Sequence, residues 1–84
     1  MCRNITTLRG LEPPATREEI EAAARQYVRK VSGVQKTSAA TEEAFEEAVA
    51  LVSAATAEVL ISLPPRRVPP RYDPPIRRLA AKRG

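Results

Sequence analysis

The sequence predicts an all-α fold, an antiparallel two-helix hairpin with an extended N-terminal arm and a proline/arginine-rich C-terminal tail. Three observations predict it. A complete capping box, Thr16 with Glu19, opens one helical segment. Apolar residues then recur at spacings of three and four along two segments. Paired prolines, Pro64-Pro65, close the second. The chain reads as a single small domain over residues 1–84: arm 1–15, helix one 16–33, helix two 38–63 and tail 64–84.

In the arm, Ile5, Leu8 and Leu11 recur every third residue, while Gly10 and Pro13-Pro14 forbid a long helix. Three aliphatic side chains on an arm are expected to cover one side of the helices. Helix one begins at Thr16, with Ala15 and Ile20 in hydrophobic-staple positions and Glu18, Glu19 and Glu21 at the positive end of the helix dipole. Ile20, Ala24, Tyr27 and Val31 form its expected apolar stripe. Arg29 and Lys30 occupy the last turn, and Gly33 supplies a left-handed stop with Val34 behind it.

Helix two is expected to start near Ser38 or Thr41. Phe45, Val49, Val52, Thr56, Val59 and Leu63 share one stripe, widened by Ala44, Ala48, Leu51 and Ala55. The short connection makes the helices antiparallel neighbours. The tail repeats a pentad three times, each copy opening with a proline pair: Pro64-Pro65, Pro69-Pro70 and Pro74-Pro75. Such spacing favours polyproline II. Asp73 before Pro74-Pro75 also allows a short final helix over residues 74–83. The tail is expected to fold back along the hairpin, passing Glu18, Glu19 and Glu21 and running on towards Glu42–Glu47. Val68, Tyr72, Ile76 and Leu79 would be its anchors.

Composition narrows the function classes. The apolar fraction of 43% includes 14 alanines, so the core is small. No run approaches the roughly 20 apolar residues that span a bilayer, and no apolar stretch follows Arg3 as in a secretory signal, so no membrane association is expected. A single cysteine fits a reducing, cytoplasmic compartment. Residues 1–63 carry seven Lys/Arg against nine Glu, a net −2, whereas residues 64–84 carry seven Lys/Arg against one Asp, a net +6. The basic character therefore belongs to the tail.

The words Met1-Cys2-Arg3-Asn4-Ile5, Leu8-Arg9-Gly10-Leu11-Glu12-Pro13-Pro14-Ala15-Thr16, Arg29-Lys30-Val31-Ser32-Gly33 and Leu63-Pro64-Pro65-Arg66-Arg67 resemble a family of short bacterial proteins known as domain of unknown function 2277. The resemblance runs from residue 1 to about residue 78 and departs at Lys36-Thr37-Ser38, where proline often holds the middle position. It supports the element boundaries and implies no chemistry. Leu11 to Lys30 also looks like the opening of a J-domain co-chaperone, which works through a His-Pro-Asp tripeptide. This chain has no histidine, which removes that reading.

The same absence leaves no imidazole base and no Ser-His or Cys-His pair, so no enzyme is expected. Cys2 is the one candidate reactive thiol, beside Arg3, but it lacks a resolving thiol or an oxyanion site; an inert residue is the preferred reading. Glu42, Glu43, Glu46 and Glu47 have i, i+4 spacing but read as a dipole-complementing outer face rather than a metal site, so no metal or cofactor is expected. Arg66, Arg67, Arg71, Tyr72, Arg77, Arg78, Lys82 and Arg83 are the candidate contacts for a protein partner or a polyanion. The expected role is a non-enzymatic interaction module or small subunit, with a protein partner or homo-oligomer favoured. RNA or DNA binding through the tail is the alternative.

Overall fold

A computed structural model describes residues 4–66, 70 and 73–77. Among these the chain is all-helical, with two main helices, α1 (Arg17–Ser32) and α2 (Glu42–Ser62), packed against each other. Residues 75–77 form a short third helical segment, and the Arg77 N–H donates to the Pro74 carbonyl at 3.0 Å.

α1 begins and ends as its sequence dictates. The extended Thr16 accepts the Glu19 N–H on its side chain at 3.1 Å, and the Glu19 carboxylate accepts the Thr16 N–H at 2.7 Å. Gly33, at φ 74°, turns the chain out of the helix while its N–H donates to Arg29 O at 3.0 Å. Val34 behind it packs against the core.

α2 starts at the later of the two expected positions. Residues 38–41 form a turn in which Thr41 Oγ1 accepts the Ser38 N–H at 2.9 Å, so Thr41 makes no side-chain cap on the helix it precedes. At the other end the Leu63 N–H closes on Val59 O at 3.1 Å, and Leu63 itself is extended. Pro64 enforces this, since the residue before a proline is held out of the helical region.

The central core is Ala24 and Val28 of α1 against Phe45 and Val49 of α2, with Val34, Ala48 and Val52 packed on it. The expected stripes therefore need correction. On α1 the buried row is Ala24 and Val28 with Ile20 half-buried, a straight i, i+4 line, whereas Tyr27 is exposed and Val31 is 66% exposed. Once Val28 faces α2, Tyr27 is turned aside by the 100° between successive residues, and Val31 lies in the last turn of α1. On α2 the stripe is buried at Phe45 and Val49 and half-buried at Val52 and Thr56, but Val59 and Leu63 are exposed.

Length explains the second correction. Sixteen residues make α1 about 24 Å long and 21 make α2 about 32 Å. The last turns of α2 therefore project past the start of α1. The arm runs along one flank of both helices: Leu8 and Leu11 are buried, and Ile5 and Leu8 line a shallow groove with Ala23, Ala24 and Tyr27 of α1 and Val52, Thr56 and Leu60 of α2. The Asn4 N–H donates to Gln26 Oε1 at 2.7 Å and ties the arm to α1.

The tail meets the arm at Gly10, where a Cβ would lie 2.9 Å from Arg66 Cβ at a backbone φ of 87°. Glycine is needed there twice over, for the left-handed backbone and for the close approach. Gly33→Ala, with open space around it, should cost about 1 kcal/mol in urea unfolding. Gly10→Ala should cost more, because Arg66 must also move at a stem atom. Phe45→Ala should cost about 3–5 kcal/mol, a large share of a small domain's stability.

Candidate functional site

Two features of the surface organise what this protein can do: a buried carboxylate that gathers arm, helix and tail, and a long helix left partly uncovered.

Glu19 is the buried carboxylate, 2% exposed. The capping box places it one turn into α1, facing back towards the arm. Its Oε2 accepts from Arg77 Nε at 2.6 Å and its Oε1 from Arg77 Nη2 at 3.1 Å, beside the Thr16 N–H. The same Nη2 reaches the carbonyls of Pro13 at 2.6 Å and Pro14 at 3.1 Å. One guanidinium thus fastens the tail to the arm and to the start of α1. Burial alone would raise the Glu19 carboxyl. The Arg77 hydrogen bonds, the Thr16 N–H and the Arg77 charge outweigh it, and the carboxyl lies below the usual glutamate range. A second clasp sits upstream, where Arg9 donates through Nε and Nη2 to Pro64 O at 3.0 and 2.6 Å.

A third arginine ties the helices together. Arg25 donates to both carboxylate oxygens of Glu46, at 2.7 and 2.9 Å, and lies 5.8 Å from the Phe45 ring centroid with Glu21 at 3.6 Å. The hydrogen bonds that Arg25 donates to Glu46 hold the Arg25 guanidinium above its ordinary pKa and the Glu46 carboxyl below its own.

These clasps leave much of α2 bare. Between Ala48 and Leu63 the only charged residue is Glu58. Leu51 is nevertheless 65% exposed and Ile61 84%, with Val59 and Leu63 also exposed. An open groove of about 550 Å³ runs between α1 and α2 on one flank, floored by Val49, Ala50, Ala54 and Ala57 and edged by Arg17, Glu21 and Arg25. Ser53, also on that groove, has a shielded hydroxyl with no hydrogen-bond partner among the described residues.

Of the eight tail contacts singled out from sequence, two are described. Arg66 is exposed over Gly10, and Arg77 is engaged with Glu19. Arg67, Arg71, Tyr72, Arg78, Lys82 and Arg83 lie outside the described residues, as do Cys2 and the anchors Val68, Tyr72 and Leu79. Ile76 is exposed and Pro74 buried, so proline and the Arg77 guanidinium do the holding where an aliphatic anchor was expected. At Arg77 the tail is at the N-terminal end of α1, and Glu46 takes its cation from α1. Among the described residues no three His, Cys, Asp or Glu side chains converge to hold a metal ion. No described helix is long and apolar enough to cross a membrane. Sequence reasoning did not single out Arg9 or Ile61. Arg9 carries no local signal, but the charge-poor run around Ile61 is visible in the sequence.

A family model described as uncharacterized conserved protein (DUF2277) matches residues 1–83, and the chain belongs to that family. No curated protein and no solved structure matches.

Arg77→Ala should cost about 2–3 kcal/mol, less than a fully buried pair because the guanidinium is partly exposed. Because the folded Glu19 carboxyl is depressed, its contribution is present above the ordinary value of 4.5 and is lost as pH falls below it. Denaturation followed from pH 7 to pH 3 should show this acid loss in the parent chain and a smaller one in Arg77→Ala.

Proposed function

We propose that this member of the DUF2277 family is a non-enzymatic protein–protein interaction module that presents the second half of α2 to a partner. The observation that carries the reading is the exposure of Leu51, Val59, Ile61 and Leu63 along a stretch with one charge. A helix that is apolar on nearly all sides belongs in an interior. Here α1 covers one face and the arm covers part of the overhang. Exposed apolar surface of this extent on so small a domain marks an interaction site.

The clasps support the reading by supplying rigidity. Arg9 on Pro64 ties the end of α2 to the arm, and Arg77 on Glu19 ties the tail to the arm and the start of α1. A preordered helix loses little entropy when it docks. The lack of histidine and of any convergent nucleophile–base pair in the sequence favours binding over catalysis. The single cysteine fits a cytoplasmic address. Polyanion binding rests on Arg66 and on cations outside the described residues, since Arg77 is already paired.

The test uses the full chain carrying Leu51→Lys and Ile61→Lys together. Both positions face solvent, so helicity should be unchanged and stability should shift by only about 1 kcal/mol in total. The parent chain should self-associate in sedimentation, or retain a stoichiometric protein from its native cells, and the double variant should do neither. A parent chain that stays monomeric, retains no protein and binds RNA or heparin in a salt-dependent way would overturn this reading in favour of the basic tail.

A further inference from the structure

We infer that the cleft at the start of α1 is a guanidinium-binding site built by the arm and α1 alone, which the chain's own tail fills as a detachable strap.

The two halves of the clasp are made differently. Its acceptors are local. The Glu19 carboxylate is set by the capping box with Thr16, and the Pro13 and Pro14 carbonyls lie just before that box. The two proline rings narrow the backbone there before any tail arrives. The arm itself is seated by Leu8, buried beside both helices, and by the Asn4 N–H on Gln26.

The ligand half has no such support of its own. Among the described residues the tail helix is 75–77, with the Arg77 N–H on the Pro74 carbonyl. So short a helix does not persist unless it is docked. Asp73 and Ile76 are exposed, which leaves buried Pro74 and the Arg77 fork to seat the segment. Glu19 is the inner member of the pair, with its side chain 1% exposed, and Arg77 is the outer, 17% exposed.

The hinge is upstream. Arg9 holds the Pro64 carbonyl and Arg66 lies on Gly10, so the chain stays on the arm as far as residue 66 when Arg77 lets go. Opening is then local, because the central cluster of Ala24, Val28, Phe45 and Val49 contains no tail residue. The tether also makes the tail a competitor for its own site, holding Arg77 at an effective concentration on the order of millimolar. An arginine presented by any other molecule enters only while the strap is open.

Shape selects the ligand. The two oxygens of Glu19 take Arg77 Nε and Nη2 side by side, and Nη2 goes on to both proline carbonyls. A planar guanidinium matches this arrangement, whereas an ammonium offers no such fork.

Chemical rescue of the full chain tests both parts. Arg77→Ala should keep the hairpin folded, with the amide NMR shifts of Val28, Phe45 and Val49 near those of the parent and those of Thr16 and Glu19 moved. Methylguanidinium at about 50 mM should then raise its melting midpoint by about 3–5 °C relative to the parent, whose site is already filled. Methylammonium should not, and Arg77→Ala combined with Glu19→Gln should not respond to either. No rise in Arg77→Ala, or an equal rise in the double variant, overturns the binding site. Loss of the Val28 and Phe45 shifts in both Arg77→Ala and Arg77→Lys would make the tail part of the core and overturn the strap.

Discussion

The carboxylate of Glu19 is the point on which the architecture turns. It ends the arm by closing the capping box on Thr16, it starts α1, and it receives the guanidinium of Arg77 from 58 residues away. Burying a charged carboxylate is costly unless its oxygens are filled by donors. Here three donors fill them, two from Arg77 and one from the Thr16 backbone. Arg77 in turn satisfies the carbonyls of Pro13 and Pro14, which lie in an irregular segment with no helix or sheet ladder to accept from. Arm, helix start and tail are therefore one hydrogen-bonded unit, and loss of any member leaves the others short of partners.

That unit matters because the hydrophobic core is thin. Four side chains, Ala24, Val28, Phe45 and Val49, make up the central cluster. A core of this size leaves a small margin over conformational entropy. The arm contributes Leu8 and Leu11, but an arm of 15 residues stays in place only if it is fastened. Two arginines do the fastening, Arg9 to Pro64 and Arg77 to Glu19 and the Pro13 and Pro14 carbonyls, while a third, Arg25 to Glu46, ties the two helices together. Each grips through two nitrogens. Lysine would supply the charge without that planar fork.

The mismatch in helix length connects this bracing to function. α2 extends past the start of α1, and the arm covers only part of what projects. The clasps hold that projecting apolar helix in one orientation without hiding it. Under the interaction-module proposal, this open, largely apolar surface is where a partner would dock.

Much of this was legible in the residues. Thr16, Glu19 and Gly33 bound α1 within a residue or two because caps are local chemistry: a side chain and a backbone group three residues away decide them. Pro64 stops α2 for an equally local reason. The all-α class and the family likeness follow from the same signals. Which face of each helix is buried is not local. Ile20, Ala24, Tyr27 and Val31 make as good a stripe on paper as Ile20, Ala24 and Val28, and only the approach of α2 chose Val28 over Tyr27. Likewise nothing in the neighbourhood of Arg77 marks it as the partner of Glu19 rather than of the later glutamates. Side-chain rows and cap residues are set by spacing along the chain. Ion pairs across 58 residues are set by where packing brings distant segments together, and here that was the start of α1.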